Sequence, residues 1–349
     1  MKLRTFLTLI LAFFSFALFA QGFAGMGTDV EGFTDPTPGP IFSFPADHGS
    51  HPDYRIEWWY LTANLQDASG TDYGLQWTLF RTAIAPAQGE GWQSPQIWFA
   101  HAAITTAEEH STAERFARGG IGQAGVSPDP FAAWIDEWYL KGDTFNELAV
   151  SAAGTDFAYD IALDATGPLT FHGEGGFSVK SAEGLAGYYY SQPFYEASGT
   201  LNLPDGEIAV TGTAWLDREW SSRPLSADQE GWDWFSLTFE SGEKLMAAQL
   251  RSADGSRYRS GTWIYPDGRT ETLPDGALAL TPLDTEQVAE RELPVEWRIE
   301  VPSKDVDITS RPLNPQAWMN ASIPYWEGPV FVTGSHAGQG YLEMTGYEK

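Results

Sequence analysis

The chain has no cysteine among its 349 residues. That removes disulfide scaffolds, thiolate metal sites, a cysteine nucleophile and an N-terminal lipidated cysteine at once. Basic residues are scarce as well: 20 Lys and Arg stand against 47 Asp and Glu, a formal charge of −27. Such a surface repels phosphate backbones and anionic lipid, so nucleic-acid binding is excluded as an expectation. After the first 24 residues no apolar run is long enough to cross a bilayer as a helix. Neither a Gly-rich phosphate loop after a strand nor a G-x-S-x-G elbow occurs, which leaves nucleotide cofactors and serine-hydrolase chemistry without a motif. No cofactor and no metal is expected.

What is abundant is glycine (36), proline (22) and aromatic side chains (15 Trp, 14 Tyr and 21 Phe). The glycines and prolines are spread singly, as punctuation between short strands. Lys2 and Arg4 precede an apolar run from Phe6 to Ala20, the pattern of a secretory signal peptide cleaved after Ala20 or Ala24. Residues 1–24 are therefore expected to be removed and 25–40 to form a flexible leader. The mature protein is expected in a periplasm or outside the cell, not embedded in a membrane.

From Phe42 on, strand patterns recur. Gly74 to Leu79 and Phe235 to Phe239 alternate apolar with polar residues, which marks strands with one face in a core. Asp205-Gly206 separates candidate strands Ala197–Leu203 and Glu207–Leu216. Turns at Ser241-Gly242, Asp254-Gly255 and Asp267-Gly268 divide a β-meander running to Leu273. Helix is predicted only over Thr106–Arg118, with Thr106 as cap and Glu108 and Glu109 in the first turn, and near Pro315 to Ala321. The predicted fold class is all-β: two tandem antiparallel barrels, over residues 41–225 and 226–349.

Three clusters carry candidate chemistry. In the first, a polar loop with His48 and His51 runs into Glu57-Trp58-Trp59-Tyr60. Glu57 shares a strand face with Trp59, so its carboxyl must find an arginine or be raised in pKa. The His-x-x-His spacing could serve a metal or simply seat a turn. In the second, Ile97 to Ile104, alternation puts His101 on the face of Ile97 and Phe99. The third is Trp215-Leu216-Asp217-Arg218-Glu219-Trp220, followed by Gly231-Trp232-Asp233-Trp234. Trp215, Asp217 and Glu219 should share one face and Leu216, Arg218 and Trp220 the other. Two readings stay open for it: a salt-bridged seam joining two β units, or a carboxylic acid in an aromatic-walled pocket that stabilises a carbocation.

At these clusters the chain resembles the lipocalin-like family of carotenoid 1,2-hydratase (hydroxyneurosporene synthase). That grouping includes secreted relatives labelled predicted hydrolases or attachment-type components of ABC export systems. The motifs are FPADHGSHPDYRIEWWYLTANL, WFAHAAI, WLDREWSS, GWDWFSL and YWEGPVFVTGSHAGQGYLEMTGY, which together span Phe44 to Tyr347. The resemblance implies two lipocalin-type barrels around an apolar cavity or cleft, and hydration of an isoprenoid or other lipophilic substrate. The hydratases show His-x-Trp where this chain has Arg218-Glu219-Trp220. They show Tyr-x-Asp, whose Asp is the proton donor, where Gln249 is the nearest polar residue here. An amide cannot protonate an alkene, so Asp217 or Glu219 takes that role in this reading. Trp220 and Trp232 would then line the cation, His101 or Glu57 would orient water, and Trp58, Trp215, Arg218 and Gln249 would contact the ligand. The alternative is a non-catalytic carrier of a hydrophobic molecule, linked to an export system.

Overall fold

The computed structural model describes residues 31–86 and 89–347. The predicted signal segment lies outside the described residues, as do residues 25–30 of the leader. The described leader is tied down: the Thr37 amide donates to the Tyr188 hydroxyl (2.9 Å), and Arg223 pairs with Asp35 (2.7 Å).

Two antiparallel sheets of 13 and 10 strands make up the described fold. The main path of the first runs His110–Arg118, Gln96–Thr105, Asp72–Ala83, Ile56–Asp67, Gly206–Ser221, Ala186–Leu203, Ala158–Ala165, Glu147–Ala153, Trp138–Thr144, Phe131–Ile135 and Ala124–Pro128. It curls on itself. Arg115, on the first of these strands, reaches Glu137 (2.9 Å) beyond the far hairpin and lays its guanidinium over Trp138. Tyr159 donates across the interior to the Gln76 carbonyl (2.9 Å). The enclosed core contains Trp59, Leu61, Trp77, Leu79, Trp138, Tyr159, Leu216 and Trp220. Each large side chain buried this completely contributes roughly 1.5–3 kcal/mol.

The second sheet begins with the predicted meander, Gln229–Phe239, Lys244–Ser252, Arg257–Ile264 and Thr270–Leu273. Gln229–Phe239 then pairs with Gly338–Met344, which pairs in turn with Tyr325–Gly334, and the path continues through Val306–Pro312, Arg291–Val301 and Ala279–Val288. Its core is built on Phe235, Trp263, Trp297 and Trp326. The expectation of an all-β chain of two barrel-like units therefore holds.

The two predicted helices do not form. Thr106 does act as a cap, its hydroxyl accepting from the amides of Glu108 (3.2 Å) and Glu109 (2.9 Å). That cap closes a hairpin turn, and His110–Arg118 continues as a strand paired in register with Gln96–Thr105. A threonine oxygen serves a β-turn as readily as a helix start, and the neighbouring strand decides between them. Near Pro315 to Ala321 the backbone instead forms the short strand Trp318–Met319.

The outer faces of the two sheets pack together. Tyr60, Tyr189 and Trp215 of the first meet Trp234, Met246, Ile264 and Tyr341 of the second. Phe80 and Phe99 meet Met319 and Tyr325. Gly74 marks a close approach, because a Cβ there would stand 2.5 Å from both the Pro329 ring and the Tyr341 hydroxyl. A proline ring cannot swing away. Gly74→Ala should therefore cost about 1–3 kcal/mol by overpacking, measured as a lower urea midpoint; an unchanged midpoint would show that the units are not pressed together here.

Candidate functional site

The strand Gly206–Ser221 separates two electrostatic environments by its pleat. Leu216, Arg218 and Trp220 point into the first barrel, whereas Trp215, Asp217 and Glu219 point toward the second sheet. This is the division that alternation predicts.

On the inner side Glu57 finds not one arginine but two. Arg81 donates through Nε to its Oε1 and Arg218 through Nη2 to its Oε2. The His51 amide adds bonds of 2.9 and 3.1 Å. Burial alone would raise this carboxyl, but Arg81 and then Arg218 outweigh it and hold Glu57 well below the usual carboxylate range. Arg218 lies over the rings of Trp59 (3.9 Å) and Trp220 (4.8 Å). These charges close the end of one barrel under the loop carrying His51; they do not join the two units.

The two loop histidines go to separate partners. His48 stacks on Phe145 with ring centroids 3.7 Å apart and bonds through Nδ1 to the Tyr190 hydroxyl (2.8 Å). Burial, then the charge of Arg218, lowers its pKa to about 3, so it is neutral. His51 stacks on Trp220 and contacts Asp47 and Glu57. Among the described residues no group of three or more acidic or histidine side chains is arranged to hold a metal ion.

The outer side forms an open cleft between the sheets, with about 690 Å³ of empty space once the adjoining open solvent is included. Trp58, Phe80, Trp232, Trp234, Ala248 and Leu250 give it apolar walls, and Asp217, Glu219, Glu343 and Lys180 give it polar groups. Asp217 is fully engaged: Tyr189 donates to Oδ2 (2.5 Å), while Trp215 Nε1 (2.6 Å) and Ser191 Oγ donate to Oδ1. Burial raises it nonetheless, to about 7, against those three hydrogen bonds. Glu219 is also raised by burial, and Lys180, 2.8 Å away, opposes the shift. Glu343 accepts one indole bond, from Trp232 (2.7 Å), and burial pushes it up to about 7. Directly opposite it across the hairpin stands Glu327, buried, raised well above its ordinary value by burial and by Glu343, and bonded by the Tyr60 hydroxyl (2.5 Å). Two carboxyls this close, away from water and with Lys180 already held by Glu219, cannot both ionise cheaply.

Of the expected site residues, the cleft brings together Asp217, Glu219, Trp58 and Trp232, with Trp215 behind Asp217. Glu57, Arg218 and Trp220 lie inside the first barrel and do not reach it. Gln249 turns the other way as well, donating to Asp233 (2.8 Å). His101 is on the outer face, as alternation predicts, but contacts Tyr325 and Glu114 instead of lining the cleft. Glu343, Glu327, Tyr189 and Lys180 are not among the residues the sequence singles out, and Tyr60 appears there only as one of three adjacent aromatics. The two glutamates carry a legible signal, since each follows an aromatic by two residues and both are equidistant from Ser335, where the chain turns.

The raised acids make a pH prediction. Asp217 holds its proton up to about 7 in the folded chain against 3.8 ordinarily, so within that window the native state binds more protons than the unfolded one. Stability should fall as pH rises through it. Asp217→Asn should flatten that slope in urea midpoints measured across the same pH range; a slope equal to that of the parent protein would show the carboxyl to be ordinary.

Comparison with known proteins places this architecture. A crystal structure of an AttH-type protein from Nitrosomonas europaea superposes with a TM-score of 0.82 at 33% identity, covering 91% of this chain and 100% of that one. Kievitone hydratase from Nectria haematococca shares the fold with a TM-score of 0.66 at 17% identity, over 91% of this chain and 98% of its own. CghA, solved with Sch210972, follows at 0.56 and 14%, over 91% and 97%. No curated protein sequence matches the chain significantly. The family described as AttH-like matches residues 35–347, and the chain belongs to it.

Proposed function

We propose that the cleft binds a lipophilic, alkene-bearing molecule of the isoprenoid or prenylated class and adds water to it by acid catalysis. The observation that carries this reading is a set of buried carboxyls, two poised near neutrality, facing a space walled by indole and phenyl rings. Aromatic faces stabilise a developing carbocation without capturing it, and an acid poised near the working pH can both hold and give a proton. The fold shared with kievitone hydratase supports the reading as an analogy of architecture.

The environments of the two poised acids assign their roles. Glu343 has the Trp232 indole and a Tyr60 hydroxyl that also serves Glu327, with Glu327 directly opposite, which favours its protonated form; Asp217 has three donors of its own, which favour its carboxylate. Glu343 then protonates the alkene, water attacks the cation, and Asp217 takes the proton that water loses. This reverses the expectation that Asp217 is the donor. Export to a periplasm or the exterior belongs to the same proposal, on the strength of Lys2, Arg4 and the apolar run after them.

Native mass spectrometry of protein purified from its own host, followed by incubation of the extracted ligand in water enriched in heavy oxygen, tests the proposal. The expected result is a product heavier by one labelled water. A bound apolar molecule recovered unchanged would overturn catalysis and favour the carrier reading, for which the apolar walls alone suffice.

A further inference from the structure

The cleft leaves two features unused: His101, sealed between the sheets, and Glu327, a buried carboxyl that does not line the cleft. Both lie on one line of side chains. Glu114, at the outer edge of the first sheet, is 21% exposed and bonds to His101 Nε2 (3.1 Å). His101 Nδ1 meets the Tyr325 hydroxyl (2.9 Å), and that hydroxyl acts in turn on the buried Glu327 carboxyl, lowering the pKa that burial raises. Tyr60 donates to Glu327 (2.5 Å) and is within hydrogen-bonding reach of Glu343. His101, Tyr325, Glu327 and Tyr60 are each at most 4% exposed. We propose that Glu114, His101, Tyr325, Glu327 and Tyr60 form a proton relay that connects solvent to Glu343 through the interface between the two sheets. The proposal rests on Glu343 being the acid of the cleft.

The need for such a route follows from the cleft itself. With a lipophilic molecule in place, the face of Glu343 toward the cleft is dry, and the proton that water loses goes to Asp217 on the other wall. While the cleft is filled Glu343 can be reloaded only from behind, and Asp217 returns its proton to solvent when the product leaves, so that one proton enters and one leaves in each turnover. The relay does this with no change except in O–H and N–H bonds. Protonated Glu114 gives its proton to Nε2, Nδ1–H passes one to the Tyr325 oxygen, and the Tyr325 hydroxyl proton moves to Glu327. The Tyr60 hydroxyl, which donates to Glu327 at rest, rotates to give its proton to Glu343 and takes the Glu327 proton in its place. One proton enters at Glu114 and one arrives at Glu343. Imidazole is suited to the step because its two nitrogens face different partners. If the line served only to hold the sheets together, a neutral amide would satisfy the tyrosines at the position of Glu327 at less desolvation cost. The relay residues act through Glu343 and are positioning residues, not catalytic ones.

The test needs no substrate, so it can fail while hydration stands, or succeed while hydration fails. The protonated-carboxyl stretch of the full chain is recorded by infrared spectroscopy, and Glu343→Gln and Glu327→Gln assign it. Its shift on rapid transfer into heavy water times proton exchange at the buried pair. His101→Phe and Tyr325→Phe should each slow that shift about tenfold or more, because exchange must then wait for local opening of the interface. Glu114→Gln should slow it less, since solvent water can stand in at the exposed end. Circular dichroism checks that each variant is folded, and Tyr325→Phe carries the test if His101→Phe is not. Exchange at the parent rate in the folded variants, or no carboxyl band lost in either glutamine variant, would overturn the relay.

Discussion

Replacing Glu57 with alanine should lower the unfolding free energy by about 3–5 kcal/mol, the usual cost of stranding a buried charge. The loss arises from what stays behind. Arg81 and Arg218 would sit in the barrel end, each no more than 1% exposed, with no carboxylate between them. Arg218 keeps the faces of Trp59 and Trp220, but rings cannot replace a bidentate acceptor for two guanidinium groups. The sign of the pH dependence follows from the depressed acid. Its stabilisation is fully present above the ordinary value of 4.5 and is lost only as pH falls through the lower folded-state value. The deficit of Glu57→Ala should therefore be constant from neutrality down to about that point and shrink below it. Urea unfolding followed by tryptophan fluorescence measures both. A deficit under about 1 kcal/mol would mean that the charges are solvated like a surface pair.

Glu343→Gln should reduce turnover by about 10²–10⁴-fold, the span of a lost general acid, with the fold intact. Glutamine keeps an acceptor for the Trp232 indole and fits the same strand position, so lost packing would not explain the effect. The parent rate should follow a bell against pH, because the mechanism requires one acid protonated and another ionised. Its limbs belong to the coupled set of Asp217, Glu327 and Glu343 rather than to single residues. Asp217→Asn should remove the limb on the acid side, where its carboxylate is neutralised. Steady-state turnover of the ligand recovered from the protein of its own host, read as kcat across pH, checks these expectations. Full activity in Glu343→Gln would return the donor role to Asp217 or remove acid catalysis from the cleft.

Much of this architecture is legible along the chain because hairpins are local. Asp205-Gly206 sets the register of two long strands, and the period of two in Trp215 to Trp220 sorts six side chains onto their correct faces. The same period that exposes Asp217 to the cleft hides Arg218 from it. What the pattern does not say is which outer face meets a partner. Trp58 and Trp220 look alike in sequence, yet one lines the cleft and the other fills a barrel. The place of Gln249 in a motif suggests the site, but its strand phase turns it inward to Asp233. Thr106 to Arg118 carries genuine capping chemistry, and only pairing with Gln96–Thr105 makes it a strand. Glu327 and Glu343 were within reach, since folding the hairpin about Ser335 sets them side by side.

The position of Gly338–Met344 has a consequence for how the protein is made. Although late in the chain, this strand lies in the middle of its sheet, between Gln229–Phe239 and Tyr325–Gly334. On the ribosome the first unit can close once Ser221 has emerged, while the second waits, its meander unpaired along one edge, until Met344 is out. Glu343 travels on that same strand. A polypeptide released early would therefore lack both the strand that seals the second unit and the acid that would make it reactive.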